Sequence, residues 1–430
     1  MGNTDIMNIE EGATGRTHAS NIPLTRRAAA YLAILTGYFF YCYSFLLPGY
    51  VRPHLIEEYG HSLGQTASIT VAQNVGMTFG SMILAVFIAR LGRRSAAAII
   101  LLGIAALTAA NAMQTSPWSW ILIRGGIAVL LGGYYVCAVT LMVALFPLKY
   151  RAKLVAINSA MFAAAEISLG GLAFALGETG WVMLIWAATL PVALVGVALL
   201  FFVPDDRKLI GFGEEATVQA DTDQAEKTNG WQEMFSARYR RLTITCLLVA
   251  GANFTGYQLF TEFVTLYLKQ VREFTAEEVG IAFSLIGTGS LMGGLFWAFL
   301  ADRFGRKIPL VGFVGVAIFI SLFLTVRDHA NTINLLGFGY GFCLACTYHW
   351  GVWFTEIFPV KLRPYGASLF PAGHFISLFA PLIITVISTR FGITTGMGVA
   401  PVIFLLAVFL GMTLPETLQR KCEGRDHAVD

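Results

Sequence analysis

Charge is what this chain has least of. Asp, Glu, Lys and Arg make up 13% of its 430 residues, against roughly 25% in an ordinary soluble domain. The few charges nearly cancel, at +3, so there is no basic surface for nucleic acid. Cysteine is scarce and scattered: Cys42, Cys137, Cys246, Cys343, Cys346 and Cys422 follow no framework spacing, which excludes a disulfide scaffold. Cys343 and Cys346 form a C-x-x-C, but no β-α-β pattern flanks them, and they read as a packed helix face. No phosphate-cradling glycine loop, metal-ligand cluster or nucleophile–base pair occurs, so the chain reads as a non-enzyme without cofactor or metal, and nothing in it fits the nucleotide-binding domain of an ATP-driven pump. The first 27 residues are polar and mixed in charge; they read as a cytosolic tail and not as a cleavable signal.

What fills the chain is apolar sequence, 56% of it. Measured against the ~20 residues needed to cross a bilayer, it gives twelve spans near 28–51, 66–89, 95–113, 118–146, 152–177, 181–203, 242–268, 276–301, 308–327, 332–358, 364–389 and 393–414. Glycine runs such as Gly287-x-Gly289 and Gly293-Gly294 lie inside these spans, where small residues let helices approach closely. Three short pieces occur twice, about 212 residues apart: Leu91-Gly92-Arg93-Arg94 and Phe304-Gly305-Arg306-Lys307, Phe146-Pro147 through Arg151 and Phe358-Pro359 through Arg363, Val203-Pro204-Asp205 and Leu414-Pro415-Glu416. Repetition in one order at one offset marks a duplicated unit, the plan of many secondary transporters. The expected organisation is a tail (1–27), a six-helix bundle (28–204), a charged linker (205–241), a second six-helix bundle (242–415) and a C-terminal tail (416–430).

Positive charge sets the orientation, because basic loops stay in the cytoplasm. With both termini inside, the outer loops hold only Arg52, Lys269, Arg272, Arg327 and Arg390 of the 29 Lys and Arg, and Arg124 lies within the fourth span. The repeated pieces then fall on the cytoplasmic face. Ala301 to Lys307 places the carboxylate Asp302 beside the glycine turn at Gly305 and the cations Arg303 and Arg306. A carboxylate there can hold helix N-termini or arginines when the inner face is shut and release them when it opens. The first copy, Arg90-Leu91-Gly92-Arg93, lacks that acid.

Over essentially its whole length the chain resembles the major facilitator superfamily. Asp302-Arg303-x-Gly305-Arg306-Lys307 is similar to the family's loop motif, Arg124 with Gly132-Gly133 to its fourth-helix motif, and Glu356-x-Phe358-Pro359-x-x-x-Arg363 to its tenth-helix end, with Arg151 in the matching place of the first half. Val203-Pro204-Asp205-Asp206 and Leu414-Pro415-Glu416-Thr417 stand where sugar-porter-like members carry P-E-S and P-E-T, and the pattern is closest to the aromatic acid:proton symporters and those relatives. The resemblance implies twelve helices in two bundles, alternating access about a midplane site, and a gating role for Arg90, Gly92, Arg93, Arg151, Asp302, Arg303, Gly305, Arg306, Glu356 and Arg363; the alternative reading of the cations Arg93 and Arg94 is that they only fix topology. The chain also departs from that subgroup. Thr36-Gly37-Tyr38-Phe39 stands in place of D-G-F/Y-D, Gly373-His374 in place of a G-R pair, and Ala144 where the second half has Glu356. Both first-helix acids are gone, including the one that in relatives faces the fourth-helix arginine.

An ionisable group at bilayer depth costs about 3 kcal/mol or more on insertion scales, so each one asks for a function or a partner. The candidates are Arg124, Glu166, Glu262, His349 and His374. Glu166, about 14 residues into its span, lies near midplane at 1.5 Å per residue and is expected to pair with Arg124 and replace the lost aspartate; its other reading is a structural carboxylate bonded to a neighbouring helix. Glu262 reads as a coupling group or a wetted helix end. His374 occupies the subgroup's arginine position and suits an anion or a polar ligand, and His349 adjoins Trp350; both alternatively read as packing residues. Tyr38, Tyr41 and Tyr43 offer rings and hydroxyls to a planar ligand, and Gln73, Asn74, Asn253, Tyr257 and Gln258 add neutral hydrogen-bonding groups.

The sequence thus predicts an all-α membrane protein, monomeric in the cell (inner) membrane, that binds a small molecule and imports an organic, aromatic or other planar carboxylate with or without a proton. The alternatives are a carrier or exporter of a neutral or cationic compound, and a sensor that kept the fold and lost turnover.

Overall fold

A computed structural model describes residues 17–210, 230–327, 330–359 and 362–418. It is almost wholly helical. The first half holds α1 (Leu24–Glu57), α2 (Leu63–Leu91), α3 (Arg93–Ala112), α4 (Pro117–Leu145), α5 (Leu148–Leu176) and α6 (Trp181–Phe202). The second half holds α7 (Arg240–Phe260) with α8 (Val264–Gln270), α9 (Ala276–Phe304), α10 (Leu310–Thr325), α11 (Ala330–Leu344) with α12 (Trp350–Ile357), then α13 (Arg363–Ala372), α14 (His374–Ser377), α15 (Ala380–Phe391), α16 (Ile393–Met397) and α17 (Ala400–Met412). Ten stretches are long and apolar enough to cross a membrane, and Leu310–Thr325 is a shorter apolar helix.

Each of the twelve expected spans falls on helix, but several are interrupted. A 3-10 turn, Thr261–Phe263, separates α7 from α8, and another, Ala345–His349, separates α11 from α12. The first span is longer than its apolar run. Helix α1 continues through Arg52 to Glu57, so Arg52 is not in an outer loop; it is 1% exposed. A hydropathy reading stops at the first charge, whereas the helix continues because that charge meets a buried partner.

Pro48 and Pro53 both lie inside α1. Each removes the N–H that would bond the carbonyl four residues back, which frees Ser44 and Gly49. Both carbonyls are answered by side chains: Arg124 donates to Ser44, and Thr265 Oγ1 donates to Gly49 at 2.7 Å. Spanning helices tolerate proline when neighbours re-satisfy the backbone in this way.

Contacts divide the chain into two compact units, Met1–Phe45 with Ala72–Phe162 and Val182–Lys227, and Leu46–Val71 with Ala163–Trp181 and Thr228–Asp430. The first is packed around Ala96, Leu101, Ile127, Leu131 and Tyr134. In it, Thr17–His18 pairs in parallel with Leu209–Ile210, joining the tail to the start of the linker. The rest of the expected linker's charge run, Glu214 to Asp223, lies outside the described residues. In the second unit the C-terminal parts of α1 and α5 and the N-terminal part of α2 pack with the second repeat. Gly287 of α9 shows how closely: a Cβ there would lie 2.7 Å from Glu166 Cβ and 2.9 Å from the Ile167 nitrogen, so only glycine lets α9 reach α5.

Candidate functional site

At one end of α9 the second repeat closes into a charged network. Arg306 forks onto Glu356 with two bonds of 2.9 Å and reaches Asp302 at 2.6 Å. Thr417 donates to the same Glu356 at 2.8 Å. Glu416 accepts the backbone N–H groups of Arg306 at 2.8 Å and Lys307 at 3.0 Å, as an anion should at amides that open a helix. Gly305 permits the turn: its φ is +121° and a Cβ would meet the Glu416 carboxylate at 2.8 Å, so a side chain is excluded twice. Arg303 lies over the Phe299 and Phe304 rings, and Arg363 is exposed.

Burial works against the charged form of Glu416, but the N–H groups of Arg306, Leu418, Lys307 and Thr417 outweigh it and hold its carboxyl below the usual carboxylate range. A depressed pKa contributes stability that is present above the unfolded value, about 4.3, and is lost as pH falls through the folded one. Glu416→Gln is therefore expected to lower the melting temperature by a constant amount from about pH 8 to about pH 5, with the gap closing in stronger acid. Thermal melts of both proteins across that range check it.

The first repeat is built differently. Asp206 accepts Arg93 N–H at 2.8 Å and Arg94 N–H at 3.2 Å, and Gly92 again has positive φ. The counterpart of Glu416 is thus Asp206, one residue beyond the Asp205 that the sequence repeat aligns with it. Arg207 donates to the Arg90 carbonyl at 2.5 Å, and Arg94 faces Asp205 at 3.8 Å. With Ala144 in place of Glu356 and Ala89 in place of Asp302, this copy keeps the helix cap without the guanidinium fork. The side chain of Arg151 lies outside the described residues.

Midway along the first unit, Arg124 is 1% exposed. Besides Ser44, it donates to Gln73 Oε1 at 2.8 Å, and Gln73 donates to the Phe45 carbonyl at 3.0 Å, so α4 and α2 together grip α1 beside Pro48. Tyr38 and Tyr41 stack at 5.1 Å, with Tyr135 at 6.3 and 6.2 Å from them. Tyr43 points elsewhere: it is buried and donates to the Leu184 carbonyl at 2.9 Å. Asn74 is buried.

In the second unit Glu166 is 1% exposed, its carboxylate takes a hydrogen bond from Ser290, and its Oε2 has no hydrogen-bond partner. Tyr257 and Tyr340 lie within its electrostatic reach. His374 stacks on Phe254 at 3.6 Å, and Phe254 on Phe370 at 4.8 Å. Asn253 accepts from Thr347 at 2.7 Å, and Gln258 donates to Ser377 at 3.3 Å. His349 is buried beside Trp350 and Trp353, with Nδ1 on the Cys346 carbonyl and Nε2 without a hydrogen-bond partner. Glu262 is no wetted helix end: it is 4% exposed and faces Arg52 at 3.4 Å.

The family profile of the Major Facilitator Superfamily matches residues 33–351. The chain belongs to this superfamily. This transporter is 24% identical to a niacin transporter of Acinetobacter baylyi over 78% of its own length and 81% of that protein's. It is 22% identical to a gallate transporter of Pseudomonas putida, over 78% and 80%. Its fold matches the crystal structure of a D-xylose–proton symporter with a TM-score of 0.71, 16% identity, and coverage of 90% and 98%. The protein is therefore a multi-pass membrane transporter and not an enzyme.

Two features of the transporter escaped the sequence reading. Tyr135, beside Tyr134, looked like one more apolar-helix aromatic, and nothing local marks it as the third ring of the Tyr38–Tyr41 stack. The freed carbonyls of Ser44 and Gly49 were missed although the signal was present: each stands four residues before a proline of α1.

Proposed function

We propose that this transporter imports a small planar carboxylate, an aromatic acid in particular, by alternating access, and that Glu166 carries the proton that enters with it. Glu166 carries the reading. An ionisable side chain at this depth marks a proton or substrate path by default, and this one keeps a carboxylate oxygen without a partner. Each unit carries its own ring platform, Tyr38–Tyr41–Tyr135 in the first and Phe254–Phe370–His374 in the second, and either one suits a planar ligand. The niacin and gallate named for two relatives are both planar aromatic carboxylates. Asn253 and Gln258 are engaged with Thr347 and Ser377, which weighs against a polyhydroxylated substrate.

The test is uptake of labelled hydroxybenzoate by expressing cells at about pH 5.5 and about pH 7.5, the interval in which a proton gradient can be imposed, with and without a protonophore. Wild type is expected to take up more at the lower pH and to lose that gain with the protonophore. Glu166→Gln is expected to take up equally at both. PH-driven uptake by Glu166→Gln would remove the residue from the mechanism.

A further inference from the structure

Just before α7 the chain folds a short amphipathic step onto the second repeat. A five-residue helix, Gly230–Met234, and the turns that follow it lead into Arg240, the first residue of α7. One side of the step is fixed by packing. Met234 is fully buried and Tyr239 is 4% exposed. The Trp231 ring meets Tyr365 of α13 edge-on at 5.3 Å, and Tyr239 meets Phe358 at 6.2 Å. Thr243 Oγ1 donates to the Met234 carbonyl at 2.7 Å, and the Arg240 N–H to the Ser236 carbonyl at 2.8 Å. The other side carries two large rings and three cations: Trp231 and Phe235 are 41% and 47% exposed, and Arg238, Arg240 and Arg241 are all exposed.

Nothing local calls for that surface. Cations in the first turn of a helix oppose its macrodipole, and α7 has no acidic residue there. Glu233 is the single carboxylate between Gly230 and Arg241, against three guanidiniums. The same groups suit a membrane surface, where tryptophan seats at headgroup level and the planar guanidinium matches phosphate. Helix α7 sets the depth. It opens the stretch Arg240–Gln270, which is long and apolar enough to cross a membrane. Arg241, Ile244 and Leu248, spaced by three and four, share one face of it, and Ile244 and Leu248 are each 43% exposed. An acyl chain lying along Ile244 and Leu248 therefore brings its headgroup to Arg241.

We propose that Trp231, Phe235, Arg238, Arg240 and Arg241 form a site for anionic phospholipid. The two rings enter the headgroup layer, the three arginines take lipid phosphates, and the start of α7 is held at the membrane surface. A basic cluster of this kind is attracted to acidic lipids and indifferent to zwitterionic ones.

The test uses the whole transporter in phosphatidylcholine vesicles and needs no substrate, so it stands apart from the aromatic-acid reading. The chain has eight tryptophans, and the fluorescence of Trp231 is taken as the difference between wild type and Trp231→Phe. Lipid brominated near the top of its acyl chains, either phosphatidylglycerol or phosphatidylcholine, is titrated in as quencher. Half-maximal quenching is expected at an about fivefold lower mole fraction of the phosphatidylglycerol, the preference supplied by roughly one cation at a membrane surface. Arg238→Gln, Arg240→Gln and Arg241→Gln together are expected to bring the two curves into coincidence, and Arg238→Lys, Arg240→Lys and Arg241→Lys together to keep them apart. Three results would overturn the site. No quenching by either lipid would put Trp231 in water. Equal quenching of wild type by both would give the arginines to another anion, such as the linker run from Glu214 to Asp223. A preference that survives the triple Gln substitution would assign it to other residues.

Discussion

Arg124→Ala is expected to lower uptake about a hundredfold, and Pro48→Ala in the same background to recover about tenfold, since each tenfold step corresponds to about 1.4 kcal/mol. Arg124 donates to the Ser44 carbonyl and to Gln73, and Gln73 donates to Phe45. Removing it leaves the carbonyl freed by Pro48 without that donor, at a depth where an unsatisfied backbone group costs several kcal/mol. Alanine at position 48 returns the N–H that bonds Ser44 within the helix, a net gain of about 1 kcal/mol. Arg124→Lys is expected to fall between, because an ammonium cannot reproduce the planar guanidinium. Uptake rates and melting temperatures of the single and double variants form the cycle. Additive losses, with no recovery in the double variant, would show that Arg124 does not act through the proline-broken turn.

Arg306→Ala is expected to destabilise the protein by about 3 kcal/mol and to abolish uptake, because the Glu356 carboxylate is left buried and unpaired by its guanidinium. The two carboxylates answer one cation, with Glu356 at 11% side-chain exposure. Its counterpart Arg93→Ala is expected to change stability by no more than about 0.5 kcal/mol, since Asp206 caps the backbone N–H of that residue and not its side chain. Unfolding in detergent, compared for the two variants, checks the contrast. Equal losses would mean that the repeats are equivalent after all and that the missing acids of the first copy have been replaced elsewhere.

The duplicated plan was legible because the loop pieces are polar signals in an apolar chain. Gly305 marked a tight turn in the sequence, but that Glu416 caps the amides of Arg306 and Lys307 was not read from it. The shift from Asp205 to Asp206 was not legible, because two adjacent aspartates offer the same chemistry and only geometry chooses between them. Helix extent failed at Arg52 for a related reason: hydropathy scores a residue alone, while burial of a charge depends on a partner 210 residues away. Depth along a helix was legible in the sequence, but rotation about its axis was not: the close approach of α9 at Gly287 puts Ser290 on Glu166. Aromatic content in α1 was plain from the sequence, yet which rings meet was not: Tyr43 turns to Leu184 while Tyr38 and Tyr41 stack.

The most direct measurement of proton-linked carriage is substrate-driven proton flux in liposomes loaded with a pH-sensitive dye. Hydroxybenzoate added outside vesicles containing the wild-type transporter is expected to acidify the lumen, and Glu166→Gln vesicles are expected to accumulate the label without acidification. Acidification by Glu166→Gln equal to that of wild type, or accumulation by wild type with no pH change, would contradict the account.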